Sequence, residues 1–299
     1  MDKKDEIKSF VEKRPDAIAV YAYGSAVFKQ DCNSGPFQTD IIFVVDDIKA
    51  WHDENMYCNG KDYSFLGKLY LSRENLKRIK GRNCITYFSG VRDGNLVYKY
   101  GVVEFDDLRR SLDTWDNLFL VGRFHKPVLN ILESDFLDSK INKNRDVAFR
   151  IACLLSDRVT TKINIFKLLC SLSYMGDARM NFAENPNKVN NIVNGSFDYF
   201  EKIYSFDEPY IKIVGEQVFI NYDILLNEIE MLPECLVDYL AECDTDLSDL
   251  SDVRKNILTF IIGHNKRESR YQILDGFKTN GIVRSVPYVL SKLRKRKDS

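Results

Sequence analysis

Gly24 and Ser25 stand together in YAYGSAVF (Tyr21 to Phe28), and after a spacer rich in turn residues Asp40 opens QTDIIFVV (Gln38 to Val45). Each residue type brings a distinct capability. A glycine lets the backbone bend close to a ligand where a side chain would clash, and a serine offers a hydroxyl and a backbone N–H to a phosphate. An aspartate supplies a hard oxygen for Mg²⁺, the ion that accompanies nucleoside triphosphates. Together they point to the binding of a nucleoside triphosphate with its metal; a structural turn followed by an exposed aspartate is the plainer use of the same residues.

The elements that must position these groups follow from hydrophobic periodicity. Ala17 to Tyr23 and Asp40 to Val45 read as strands, the second apolar on both faces as a central strand is, with Asp31 to Thr39 as a loop between them. Asp5 to Lys13, Ile48 to Met56 and Arg73 to Ile79 read as helices. Cys84 to Val91 and Asn95 to Glu104 form strands around the turn Arg92-Asp93-Gly94, and Asp106 to Leu120 is one periodic helix. This first section, residues 1–133, is expected to be α+β with a mixed sheet.

From Ser134 the pattern becomes helical. Asn144 to Ser156, Ile163 to Met175 and Val189 to Tyr204 carry helical periodicity, and Ile211 to Ile220 reads as a hairpin around Gly215-Glu216. Helices followed by a hairpin suggest a winged-helix-like section over 134–250, closed by the acidic connector Thr245 to Asp252. In the region 251–299, Gly281 to Lys297 places Val286, Val289, Leu290 and Leu293 on one helical face, with Arg284, Lys292, Arg294, Lys295, Arg296 and Lys297 around them. Such a helix suits an anionic membrane surface, and equally an ordinary solvated face.

Composition narrows the classes. The 299 residues carry 43 Lys+Arg against 44 Asp+Glu, so no global basic field points to nucleic acid. No apolar run approaches the ~18 to 20 residues that span a bilayer. Seven cysteines, scattered and without a CxxC pair, indicate a reducing compartment, and three histidines are not spaced as zinc ligands. The N-terminus has neither an apolar signal core nor the acid-poor character of a presequence, so the chain as written is expected to stay where it is made unless a presequence has been removed.

Gly-Ser, spacer and strand Asp together resemble the signature of polymerase-β-like nucleotidyltransferases. More specifically, the chain resembles the mitochondrial-type CDP-diacylglycerol synthases of the translocator assembly and maintenance family. The resemblance rests on YAYGSAVF, QTDIIFVV, WHDEN (Trp51 to Asn55), NGKDYS (Asn59 to Ser64) and VYKYGVVE (Val97 to Glu104). It continues through DTWDNLFLVGRFHKP (Asp113 to Pro127), SYMGDARM (Ser173 to Met180) and KVNNIV (Lys188 to Val193), in order along nearly the whole chain.

The resemblance implies phosphatidate cytidylyltransferase activity: CTP and phosphatidic acid give CDP-diacylglycerol and pyrophosphate with Mg²⁺. It implies a peripheral membrane enzyme. Eukaryotic members act on the matrix face of the inner mitochondrial membrane; the short N-terminus here looks like that of a bacterial relative on the cytoplasmic face of the cell membrane. Asp40 would ligate Mg²⁺, and Gly24 and Ser25 would hold the triphosphate. Lys99, Arg123 and Lys126 are the cations expected against triphosphate or lipid phosphate. Trp51, His52, Asn55, Tyr63 and Ser64 would line the cytidine pocket, although Trp51 equally suits a core, and His52, which could contact phosphate, reads better as a satisfied structural histidine.

Departures from the pattern matter. Generic nucleotidyltransferases carry a second acid two residues after the first; here that residue is Ile42. Glu104 on a neighbouring strand, or CTP and water, is expected to complete the metal site. Ser111 stands where the family commonly has an Asp, and Asp62 where a His precedes Tyr-Ser. Two further readings remain: a nucleotidyltransferase with a protein, RNA or small-molecule acceptor, and a non-enzymatic membrane-associated scaffold.

Overall fold

The computed structural model of the chain describes residues 2–28, 30, 38–71, 85–181 and 185–297, the side chains of 181, 277–278 and 280–297 excepted. The helix expected over Arg73 to Ile79 and the basic face expected over Gly281 to Lys297 fall outside the described residues, as does most of the loop Asp31 to Thr39.

A five-stranded mixed sheet is built from β1 (Ala19–Tyr23), β2 (Gln38–Val45), β3 (Ile85–Asp93), β4 (Leu96–Glu104) and β5 (Leu129–Leu132), in the order β3-β4-β2-β1-β5. β2 runs parallel to β4, and the other neighbours are antiparallel. β2 takes the centre because Ile41 to Val45 is apolar on both faces and fully covered.

Alternation divides the sheet into two faces. Val20, Ala22, Ile41, Phe43, Tyr98, Tyr100 and Val102 pack with residues of α1 (Lys3–Val11) and α2 (Ile48–Cys58). Tyr21, Tyr23, Ile42, Val44, Tyr87 and Val103 face the other way, into a second cluster shared with the helices that follow. A short helix, α3 (Phe65–Tyr70), comes after α2.

The helix expected over Asp106 to Leu120 is two helices, α4 (Phe105–Thr114) and α5 (Leu118–Val121). Trp115 ends the first with φ 60°, its buried indole N–H donating to Asn144 Oδ1 at 2.8 Å, and the Asn117 side chain caps the second. A tertiary hydrogen bond fixes the break, so periodicity could not show it. The strand β5, unanticipated, pairs along β1.

The helical section contains α6 (Asp135–Leu155), α7 (Lys162–Ser171), α8 (Lys188–Gly195) and α9 (Phe197–Ile203); the last two, expected as one helix, divide at Ser196. The expected hairpin is present as β7 (Ile211–Val214) and β8 (Gln217–Ile220) around Gly215 at φ +61°. Together with β6 (Val159–Thr161) it makes a three-stranded sheet, order β6-β8-β7. After α10 (Tyr222–Asn227) and α11 (Glu234–Glu242), the long α12 (Leu250–Lys297) closes the chain.

α12 ties both sections together. Asn265 Nδ2 donates to Leu172 O and Met175 O at 2.7 and 2.8 Å, Ser269 Oγ accepts from Ala178 N, and further on Thr279 Oγ1 donates to Tyr87 O at 3.0 Å. Among the described residues no helix is long and apolar enough to cross a membrane.

Candidate active site

Asp40 sits at the start of the central strand, in register with Tyr23 on one side and Lys99 on the other. It points to the face of Ile42 and Val44, toward the helical section. Lys99 Nζ lies 3.5 Å from Asp40 Oδ1 and 4.7 Å from the Tyr87 ring centroid. Gly24 follows β1 at φ +85°, and a Cβ added there would meet Asp40 Oδ2 at 3.1 Å. Only glycine therefore brings this turn against the carboxylate without strain. Ser25 lies in the turn that follows, closed by Val27 N and Phe28 N donating to Gly24 O, and the Phe28 ring leans on Tyr199 of α9 at 5.0 Å.

Cations wall the same face. Arg123, just past α5, places its guanidinium carbon 4.6 Å from the Phe119 ring and 5.6 Å from Tyr23, and its buried Nε–H has no acceptor among the described residues. Burial works against its charge, but a guanidinium stays protonated and the Asp40 carboxylate favours the cation. Lys126 Nζ donates to Gly122 O and Ser173 Oγ, both at 2.6 Å, and lies 5.1 Å from the Tyr174 ring. Burial brings its pKa down to about 7, with Cys170 opposing and Arg123, Lys188 and Arg179 adding to the fall.

Arg179 and Lys188 extend this cationic surroundings from the helical section, and sequence reasoning did not single them out. Arg179 stands 4.8 Å from the Phe119 ring and pairs with the fully buried Asp177 carboxylate. Both residues belong to SYMGDARM and KVNNIV, blocks whose charged members were a signal that could have found them.

Trp51, His52, Asn55 and Tyr63 are not part of this face. They lie across the sheet, buried among Phe43, Phe88 and Tyr100. Asn55 Nδ2 donates to Tyr63 OH at 2.8 Å and Tyr100 OH at 3.0 Å, His52 Nδ1 is 2.9 Å from Tyr63 OH, and Trp51 Nε1 donates to Pro15 O. Burial lowers His52 to a pKa of about 3, so its ring is neutral. A pocket shared by these four and Asp40 would have to pass through the central strand. Ser64 caps α3, accepting from Gly67 N and donating to Thr279 O.

Glu104 does not join Asp40 either. It pairs with Val45 at the far end of β2, roughly 17 Å along the strand from the Asp40 position at about 3.3 Å per residue, and accepts from Ile48 N at the head of α2. Ser111 donates to Asp116 Oδ1, and Asp62 pairs with the buried Arg14 at 2.9 Å, so neither departure adds an acid near Asp40. Among the described residues no three His, Cys, Asp or Glu side chains gather as a metal cage. One carboxylate with neighbouring cations fits a magnesium ion carried largely by substrate phosphates, because Mg²⁺ keeps waters and commonly takes only one or two protein carboxylates.

The chain is an α+β protein in which a strand carboxylate, a glycine turn pressed against it and several cations lie on one face of a mixed sheet, an arrangement able to receive an anionic ligand. The chain belongs to the family described as "Phosphatidate cytidylyltransferase, mitochondrial", whose family model matches residues 7–227. It is similar to the protein of that name from Schizosaccharomyces pombe, 32% identical over 94% of this chain and 80% of the relative. The Danio rerio protein of the same name is 29% identical over 94% of this chain and 90% of its own, and the Mus musculus protein 35% identical over 63% and 58%.

Proposed function

We infer that the protein is a phosphatidate cytidylyltransferase in which the Asp40 face is the catalytic centre. A phosphate oxygen of phosphatidic acid attacks the α-phosphorus of CTP, the bond to the β-phosphate oxygen breaks, and CDP-diacylglycerol and pyrophosphate result. The attacking oxygen is already anionic near neutral pH, so no strong base is required. The barrier is electrostatic, several negative charges having to meet.

The observation that carries this reading is the convergence of Asp40, Lys99 and Arg123 on one face behind the Gly24 turn. Gly24 and Ser25 cradle the triphosphate, and the unpaired Arg123 Nε–H offers a donor to a phosphate oxygen. Lys99 and Lys126 offset charge on triphosphate and lipid phosphate. Asp40 would hold Mg²⁺, which when bound would supply positive charge against the phosphates. On this reading the Asp40 half, residues 1–133, is a polymerase-β-like nucleotidyltransferase domain. Residues 134–250 form a winged-helix-like domain, and 251–299 approach an anionic membrane through the basic end of α12, making the enzyme peripheral to the membrane.

The test is conversion of labelled CTP to chloroform-extractable CDP-lipid on phosphatidate vesicles, for wild type and Asp40→Ala, with Mg²⁺ or with EDTA. Product that requires Asp40 and Mg²⁺ is expected. CTP binding without lipid product would redirect the assignment to another acceptor.

A further inference from the structure

Three large apolar side chains of α3 face solvent: Phe65 is 78% exposed, Leu66 49% and Leu69 60%. Their exposure is fixed by what lies behind them. A Cβ on Gly67 would meet Thr279 O at 2.5 Å, so the backbones of α3 and α12 touch there. Ser64 Oγ donates to the same carbonyl at 2.8 Å, and Tyr70 OH donates to Asp275 Oδ1 at 2.7 Å. With one side pinned to α12, the helix holds its apolar side outward.

The contact point on α12 is the place where its basic stretch begins. Past Thr279 the sequence carries Arg284, Lys292, Arg294, Lys295, Arg296 and Lys297 among apolar residues, and α12 continues to Lys297. The same threonine donates to Tyr87 O, and the Tyr87 ring adjoins Lys99 and so Asp40. Apolar helix, basic segment and catalytic face thus share one junction.

We propose that α3 is an apolar wedge that enters the interfacial layer of an anionic bilayer beside the basic end of α12, presenting the Asp40 face to lipid headgroups. The proposal rests on the reading of the chain as an enzyme of phosphatidate, whose two acyl chains keep it in a bilayer. Large apolar side chains in the acyl boundary combined with cations at the headgroups are the two terms that hold an interfacial helix. Neither alone gives firm attachment, and α3 meets α12 at Thr279, just before the basic stretch of the sequence begins.

The native tryptophans, Trp51 and Trp115, are buried, so Phe65→Trp in the full chain adds an indole that reports on this surface. With phosphatidate/phosphatidylcholine vesicles the added emission should shift to the blue and be quenched by brominated phosphatidylcholine. A second variant, Phe65→Ser with Leu69→Ser, should cosediment with those vesicles about tenfold less or weaker still. It should turn over a soluble short-chain phosphatidate at the wild-type rate. Cosedimentation without quenching, or unchanged binding of the double variant, overturns the proposal. So does a wild-type dimer that the double variant converts to monomer, since the surface would then cover a second copy. If wild type leaves the short-chain substrate unchanged, the enzymatic reading fails, and the quenching experiment still decides whether α3 docks.

Discussion

Lys99 Nζ stands 3.5 Å from Asp40 Oδ1, across paired positions of two parallel strands. The contact is longer than a charge-assisted hydrogen bond and both side chains retain some exposure, so the pair adds only about 0–1 kcal/mol to stability. In the proposed reaction it would hold the carboxylate in place and supply positive charge beside it. Lys99→Met is expected to lower turnover by about ten- to a hundredfold, and Asp40→Asn by about a thousandfold. Neither should move the thermal midpoint by more than about 3 °C. Steady-state rates paired with scanning calorimetry check both; a large loss of stability in either would place the pair in the structural frame.

Gly24→Ala tests the turn. The substitution adds a methyl 3.1 Å from Asp40 Oδ2 at a φ of +85°. An L side chain there costs about 1 kcal/mol of backbone strain, and relief comes by moving the turn off the carboxylate. We expect CTP affinity to fall about tenfold or more while the far-ultraviolet spectrum is kept. Isothermal titration measures it, and wild-type affinity in this variant would show that the turn does not hold nucleotide.

Lys126 is expected to give ligand binding a pH dependence. Its ammonium is depressed to about 7 by burial, so above that pH the free protein increasingly holds a neutral amine. A polyphosphate bound nearby favours the charged form and raises the pKa. Pyrophosphate binding should therefore take up a proton between about pH 7 and 9, and affinity should fall as pH rises through that window. Calorimetry in buffers of different ionisation enthalpy reads the uptake directly. Lys126→Met should abolish it; uptake that survives belongs to another group.

The strands were legible because Ile41 to Val45 of β2 is an unbroken apolar run, β4 is mostly apolar and a turn marks the β3-β4 hairpin. What the sequence did not reveal depends on three dimensions. Trp51, His52 and Asn55 follow Asp40 closely in the chain, yet α2 packs on the Ile41 and Phe43 side while Asp40 shares the Ile42 and Val44 side. The two-residue period separates these sides without saying which one α2 covers. The helix break at Trp115 depends on Asn144, and β5 is a four-residue edge strand with too little pattern to detect. Arg179 comes from a block far along the chain and reaches the Phe119 ring only in three dimensions, next to a loop that α12 holds at Leu172 and Met175.

The buried histidines make the fold sensitive to acid. His52 and His125 are each lowered to about 3, by burial first, with Lys49 adding to the effect on His52 and Lys126 on His125. In the unfolded chain their pKa returns to about 6.5. Between pH 6.5 and 3 the unfolded state therefore binds protons that the folded state refuses. Stability is full above that window and falls as pH drops through it, by at most about 1.4 kcal/mol per pH unit for each ring. Carboxylates titrate in the lower half of the same range, so the comparison must isolate one histidine. His52→Phe keeps an aromatic ring beside Phe88 and leaves Tyr63 OH bonded to Asn55. We expect the variant to lose less stability than wild type between pH 7 and 5, measured as the change in urea midpoint at the two values. Parallel pH profiles would mean that His52 titrates normally and that the network around it opens to water.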